Sequence, residues 1–101
     1  MYNSTYHIFF MNLANPLRIK IIEALRIKGK NVTEISKELK VEQSKVSHAL
    51  SSLRSCNIVE VKQKGKQRVY SLNKKTIVPI LKLIDKHATT YCSGDCQRCG
   101  Q

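Results

Sequence analysis

The chain has 101 residues, enough for one domain with a modest core, and a formal net charge of +11. We expect a cytoplasmic protein, because the apolar patch at residues 8–11 is too short to cross a bilayer and no small-residue cleavage site follows it. The excess of cations favours a polyanionic partner over a membrane surface, since the sequence contains no basic amphipathic helix with exposed aromatic residues.

Two helices are predicted in the first 30 residues. The first is weakly apolar and runs to Leu13. The second begins with Asn15 as its N-cap and Pro16 at its first helical position, continues to Ile27 and is ended by Gly29. The apolar residues of the second helix recur at helical spacing: Leu17, Ile21, Ile22 and Leu25.

A third and a fourth helix follow, separated by a brief turn. The third covers residues 34–39, with Thr33 as its N-cap and with Ile35 and Leu39 buried. The fourth covers residues 43–54 and is followed by Asn57, a residue type that tolerates the left-handed conformation in which many helices end. Two helices joined by a short turn in this way are typical of a helix-turn-helix.

A basic hairpin and a last helix complete the predicted elements. The hairpin covers residues 58–72 and turns at residues 64–66. The last helix covers residues 77–90, with Thr76 as its cap and Pro79 in its first turn, where proline is tolerated. One face of this helix is apolar: Ile77, Ile80, Leu81, Ile84 and Ala88.

The predicted fold is mainly α with a β-hairpin wing, a winged helix-turn-helix of order α-α-α-α-β-β-α. Residues 1–91 would form this domain, and residues 92–101 a cysteine-rich tail. The first and last helices are not needed to cover the core of the motif, so we expect them to pair two copies of the chain. A two-fold dimer contacts two half-sites of duplex DNA, whereas a monomer contacts too few bases to be selective.

The fourth helix and the hairpin carry the candidate DNA contacts. In a helix-turn-helix the second helix of the motif is the recognition helix, and its N-terminal residues contact base edges. Those predicted here are Gln43, Ser44, Ser47 and His48. Phosphate contacts are predicted for Lys45 and Arg54, and contacts along the backbone or the minor groove for Lys64, Lys66 and Arg68. Ordinary helix surface is the alternative for the serines and for His48.

More than half of the chain resembles the ArsR/SmtB family of winged-helix transcriptional repressors. The segments that carry the resemblance are LANPLRIKIIEAL (residues 13–25), VEQSKVSHALSSLRSCNIVEV (41–61) and GKQRVYSL (65–72). The resemblance implies a homodimer built through the first and last helices. It also implies a repressor that leaves its operator when an effector binds, often a metal or metalloid ion.

The effector sites of the family are incomplete in this sequence. Arsenic-sensing members carry Cys-x-Cys at the start of the third helix, where this chain has Asn31 and Thr33. Zinc-sensing members carry Asp-x-His on the last helix, which Asp85 and His87 match. Their remaining ligands have no counterpart, since Arg98 and Gln101 stand at those positions.

The tail offers a different set of ligands, Cys92, Cys96 and Cys99. Cys-x-x-Cys-Gly is a knuckle that lets two sulfurs face one ion, and a third thiolate suits As(III) or another thiophilic ion. With Asp85 or His87 as a fourth ligand the set suits tetrahedral Zn²⁺, and an iron–sulfur cluster is a less favoured occupant. Thiol redox sensing is the alternative. Cys56 lies among apolar neighbours and is predicted to be a small buried residue.

The sequence therefore predicts a DNA-binding transcriptional repressor that is released from its operator by an ion bound at the C-terminal cysteines. An enzyme is not expected, because the chain has no nucleophile elbow, no phosphate loop and no paired carboxylates. Two alternatives remain open. One is a redox-controlled or constitutive DNA-binding protein without a metal. The other is a winged-helix module that binds a protein of the transcription machinery.

Overall fold

The computed structural model describes residues 3–92 and confirms the predicted winged helix-turn-helix order. Within these residues no helix is long and apolar enough to cross a membrane. The pairing of two chains and the division at residue 91 stay predictions. The elements are α1 (Asn3–Leu13), α2 (Pro16–Leu25), α3 (Val32–Leu39), α4 (Gln43–Ser55), β1 (Val59–Lys64), β2 (Gln67–Leu72), α5 (Ile77–His87) and a closing π-helical turn (Ala88–Cys92).

Helix α2 begins as predicted and ends two residues early. The Asn15 side chain accepts hydrogen bonds from the backbone N–H groups of Leu17 (3.0 Å) and Arg18 (3.1 Å), and Pro16 follows it. The prediction that α2 continues to Ile27 is wrong, because α2 ends at Leu25 and the Ile27 side chain is 84% exposed. The apolar character of Ile27 extended the helical pattern in the sequence, although this side chain has no core to pack against.

Helix α3 is capped by Asn31, so the prediction that Thr33 is the N-cap is wrong. The Asn31 side chain accepts a hydrogen bond from the Glu34 backbone N–H (2.8 Å), and the Glu34 carboxylate accepts one from the Asn31 backbone N–H (2.9 Å). This reciprocal capping box satisfies two free donors at once, which a cap at Thr33 would not do. The helix ends at Leu39, and the C-cap residue Lys40 has a left-handed backbone (φ 58°).

The core lies between α2, α3, α4 and the hairpin. Ile35 is fully buried as predicted, whereas Leu39 is only partly buried. The other members of the core are the apolar side chains of Ile21, Ile22, Leu25, Val46, Ala49, Leu50, Leu53, Ile58, Val59, Tyr70, Leu72 and the first residue of α5, Ile77.

The hairpin is antiparallel, pairing Val59 with Leu72 and Lys64 with Gln67. This register leaves a two-residue turn in which Gly65 has a positive φ of 62°, a conformation that glycine adopts without strain. A third segment joins the hairpin, because Lys30 and Tyr70 exchange two backbone hydrogen bonds of 2.9 and 2.8 Å. The wing is thereby fastened to the residues that precede α3.

Gly29 is required by this bridge rather than by the end of α2. A Cβ atom at residue 29 would lie 2.9 Å from Val69 Cγ1 and 3.1 Å from the Tyr70 carbonyl oxygen. Contacts that short are not tolerated without movement, so glycine permits the wing to approach this closely. The prediction that Gly29 ends the helix is therefore replaced by a packing role.

Helix α5 ends at His87, three residues earlier than predicted, and the π-helical turn follows it. Thr76 is the N-cap residue as predicted, but its side chain makes no capping hydrogen bond. Instead the Asn73 side chain accepts from the N–H groups of Lys75 (3.0 Å) and Thr76 (3.3 Å), and its carbonyl accepts from Ile77 N–H (3.0 Å). Ile77 is buried, whereas Ile84, on the same predicted apolar face, is 52% exposed.

Candidate nucleic-acid interface

The recognition helix α4 presents its polar face to solvent. Its apolar residues face the core, which leaves Gln43, Ser44, Ser47 and His48 exposed. The preceding turn sets this orientation: Lys40 is left-handed, and the Val41 N–H donates to the Ser36 carbonyl (3.1 Å). All four predicted base-contacting residues are therefore accessible from outside the molecule.

An open cleft of about 470 Å³ lies between α4 and the wing. Its walls contain four of the predicted DNA contacts on α4 (Ser44, Ser47, His48 and Arg54) and, from β2, the predicted contact Arg68. Ser51 and Tyr70 complete the lining, which contains no acidic residue. The cleft thus brings candidate contacts from two elements to one surface.

A second, smaller cleft of about 280 Å³ separates the starts of α2 and α4. Ser44, Lys45 and His48 line it from α4, and Arg18 lines it from α2. His48 and Ser44 belong to both clefts, so they stand on the ridge between them. Lys45 is exposed and 4.0 Å from the Glu42 carboxylate, a separation at which an exposed ion pair contributes little.

Polar contacts order the side chains of β2 and join this strand to the start of α3. The Arg68 guanidinium lies 5.9 Å from the centre of the Tyr70 ring, within the range of a cation–π contact. The Asn31 side-chain amide donates to Gln67 Oε1 (3.2 Å), which joins β2 to the start of α3. Lys64 and Lys66 lie at the exposed tip, away from the clefts' walls.

Six residues that line the two clefts were not among the predicted contacts: Asn15, Leu17, Arg18, Ala49, Ser51 and Tyr70. Ser51 could have been found, because it lies one helical turn beyond Ser47 on the polar face. Arg18 and Tyr70 come from other elements, and only the tertiary arrangement brings them to the recognition helix.

The predicted metal ligands are less completely described. Cys96 and Cys99 lie outside the described residues, and Cys92 ends the π-helical turn. Asp85 accepts a hydrogen bond from the Arg26 guanidinium (2.7 Å), and this bond holds the pKa of the carboxyl below its usual value. His87 is exposed, with its ring 4.9 Å from that of Tyr91. Between residues 3 and 92 no group of three metal-binding side chains is assembled.

Comparison with known proteins gives the family. The sequence model described as "Bacterial regulatory protein, arsR family" matches residues 15–61. The chain is 32% identical over 79 residues to the transcriptional repressor SmtB homolog of Synechocystis, an alignment that covers 78% of the chain and 60% of that relative. It is 33% identical over 79 residues to the HTH-type transcriptional regulator Rv0081 of Mycobacterium tuberculosis, covering 77% of the chain and 69% of the relative.

Solved structures agree with the sequence comparison. The crystal structure of Rv0081 superposes with a TM-score of 0.80 and 28% identity, over 90% of this chain and 92% of the other. The homodimeric winged helix-turn-helix domain Mb0332 of Mycobacterium bovis has a TM-score of 0.81 at 20% identity, over 90% and 84% of the two chains, a likeness of fold. The prediction that the chain is not an enzyme agrees with these relatives. The resemblance found in the sequence is thereby confirmed: the chain belongs to the arsR family of bacterial regulatory proteins.

Proposed function

We propose that the protein is a homodimeric, sequence-specific DNA-binding transcriptional repressor. The observation that carries this proposal is the cleft between α4 and the wing, where exposed serines and His48 lie beside Arg54 and Arg68 with no acidic residue in the lining. Phosphates attract such a cationic edge, and short polar side chains on a recognition helix can approach base edges closely.

The proposed contacts divide into two classes. Gln43, Ser44, Ser47 and His48 contact bases, and a glutamine can pair with adenine through two hydrogen bonds. The other class positions the protein on phosphates and consists of Lys45, Arg54, Lys64, Lys66 and Arg68. The exposure of all of these side chains supports the assignment, since none has to leave the core to reach DNA.

Two exposed apolar faces support the dimer. On α1, Tyr6, Phe10 and Met11 are each 59% exposed, and on α5 Leu83 and Ile84 are 66% and 52% exposed. Apolar side chains of this size on the surface of a small domain mark an interaction surface, and a second copy of the chain would cover both helices. Two recognition helices would then contact half-sites about one helical turn apart. Mb0332, which shares the fold, is homodimeric.

The DNA-binding proposal is tested by selecting bound duplexes from a random pool and measuring their affinity at several salt concentrations. We expect a two-fold symmetric site bound at least about 10³-fold more tightly than random duplex, with affinity falling steeply as salt rises. The control is Lys37→Ala, which removes an exposed cation on α3 outside both clefts. A chain that enriches no sequence and shows no salt dependence would be a protein-binding module instead.

We further propose that a metal or metalloid ion bound at Cys92, Cys96 and Cys99 releases the repressor from DNA. The spacing of these cysteines supports a thiolate site for As(III) or, with His87 or Asp85 as a fourth ligand, for Zn²⁺. Recruiting Asp85 would require the ion to break its 2.7 Å contact with Arg26, so His87 is the more accessible fourth ligand. An iron–sulfur cluster is the less favoured occupant.

Metal content and thiol titre measured on one anaerobic sample test this second proposal. We expect about one ion per chain, lost when the three tail cysteines are replaced by serine, and release of the selected duplex on loading with that ion. The matched control is Cys56→Ser, which alters a thiol outside the tail. Freely titrating thiols with no bound metal, and loss of DNA binding on oxidation, would favour the redox alternative.

A further inference from the structure

Asn12, near the end of α1, is one of the few polar side chains buried in the described part of the chain. It is 8% exposed, yet its side chain is fully engaged in hydrogen bonds. Its amide nitrogen donates to the carbonyl of Ser52 in the last turn of α4 (3.1 Å) and to Sγ of Cys56, the residue that follows this helix (2.8 Å). Burying an amide is unfavourable unless such partners are provided.

The other side of Asn12 is tied to α2. Arg18 donates through Nη1 to the Asn12 side-chain oxygen and to the Asn12 backbone carbonyl (3.3 Å). One residue therefore connects three helices, and two of its hydrogen bonds span 40 and 44 positions in the sequence. Arg18 also lines the smaller cleft beside Ser44 and Lys45, so this network reaches the DNA-facing surface.

The hydrogen bond from Asn12 to the Ser52 carbonyl provides a partner at the C-terminal end of α4. The last carbonyl groups of any helix lack partners within the helix. At the end of α4, Leu53 and Arg54 are satisfied by the N–H groups of Ile58 (2.9 Å) and Asn57 (2.9 Å), with Asn57 left-handed as predicted. The Ser52 carbonyl is served by side chains instead, those of Ser55 (2.7 Å) and Asn12. Asn12 thus supplies part of the C-terminal cap of α4 from another helix.

We propose that Asn12 is a positioning residue that fixes the recognition helix relative to the dimer helix α1. The inference rests on the proposed function, because α1 carries its exposed apolar face to a partner while Asn12 on its buried side holds α4. The distance between the two recognition helices of a dimer is then set through this residue. We call the hydrogen bonds of Asn12 to Arg18, Ser52 and Cys56 the joint between α1, α2 and α4. Cys56, predicted to be a buried small residue, is half-buried and accepts a hydrogen bond in this joint.

Asn12→Asp removes the hydrogen bonds to Ser52 and Cys56 but keeps the one from Arg18, with little change in side-chain size. The carboxylate still accepts from Arg18, but it replaces the amide donor with an acceptor facing the Ser52 carbonyl and the Cys56 sulfur. Leu13→Ala is the control, since it weakens the packing of α1 on the core without removing these hydrogen bonds. Both variants are compared with the unaltered protein for unfolding by urea and for dimer dissociation by sedimentation.

The decisive readout is the preference for half-site spacing. Three duplexes are used: the one selected by the unaltered protein, and versions with one base pair inserted or deleted between the half-sites. We expect Asn12→Asp to lose roughly tenfold in affinity for the selected duplex and much less for the other two, so the spacing preference flattens. Leu13→Ala should lose affinity in parallel on all three. An unchanged spacing preference in Asn12→Asp, or a parallel loss like that of Leu13→Ala, overturns the proposal.

The proposal can still be tested if Asn12→Asp does not fold or if the unaltered protein selects no DNA sequence. Should Asn12→Asp not fold, Cys56→Ala removes one acceptor only, and a spacing preference identical to that of the unaltered protein then overturns the proposal. If the unaltered protein selects no sequence, the proposed function fails and the joint is tested without DNA. Amide hydrogen exchange in residues 52–57 should then accelerate in Asn12→Asp but not in Leu13→Ala, and equal exchange in both overturns it.

Discussion

Replacing Gly29 by alanine tests whether the close approach of the wing is a packing requirement. The new methyl group would lie 2.9 Å from Val69 Cγ1 and 3.1 Å from the Tyr70 carbonyl, both below normal contact distance. Gly29 is not among the positive-φ residues, so the backbone accepts alanine and only the steric clash matters. Forcing one extra methyl into a packed site destabilises a protein by about 1–3 kcal/mol, the loss we expect in the free energy of unfolding.

Urea unfolding followed by circular dichroism measures this loss, and a double-mutant cycle identifies its cause. Val69→Ala removes Cγ1, so the double variant Gly29→Ala/Val69→Ala should lose less than the sum of the two single changes, by roughly 0.5 kcal/mol or more. Gly65→Asn serves as the control, because no atom lies within 4 Å of a Cβ there and asparagine tolerates the positive φ. A Gly29→Ala protein as stable as the original, or strictly additive effects, would refute the steric argument.

Three further predictions concern charged residues. Arg26→Ala removes the hydrogen bond that lowers the pKa of Asp85, so this pKa should rise towards its ordinary value in an NMR titration. In the unaltered protein, the contribution of the pair to stability is present above the ordinary pKa of an aspartate and is lost as pH falls through the lowered pKa. Glu38→Gln replaces the carboxylate 2.6 Å from the buried Lys30 ammonium by a neutral acceptor and should cost about 1–3 kcal/mol in urea unfolding, whereas an unchanged stability would show that the charge of Glu38 is not needed. Arg54→Ala should weaken binding to all duplexes alike and lower the salt-dependence slope by about one unit, and a loss confined to the selected duplex would indicate a base contact instead.

The elements of the fold were predictable because their signals are local. The two adjacent residues Asn15 and Pro16 are enough to mark the start of α2, and Gly65 marks the turn of the wing. The errors occurred where two local signals compete, as for Asn31 and Thr33, both of which are good N-cap residues. Asn31 prevails because Glu34 stands three positions later and completes the capping box.

The candidate site was predictable in outline and not in its connections. The exposed face of α4 follows from helical periodicity, which also identifies Ser44, Ser47 and His48. The hydrogen bonds of Asn12 with Cys56 and of Arg26 with Asp85 join residues 44 and 59 positions apart. No pattern in the sequence links such residues, since the packing of helices and not their periodicity decides which side chains meet.

The backbone bridge between Lys30 and Tyr70 has a consequence for the release from DNA that we propose. Together with the contact between Asn31 and Gln67, the bridge ties the wing to the start of α3, and α3 shares the buried core with the recognition helix. In the dimer that we propose, a signal arriving at α1 or α5 would leave the shape of each DNA-facing surface intact and would turn one whole surface relative to the other. Under this proposal sensing and recognition would reside in separate parts of the chain, so effector sites could be exchanged at the helical ends without redesigning the sequence preference.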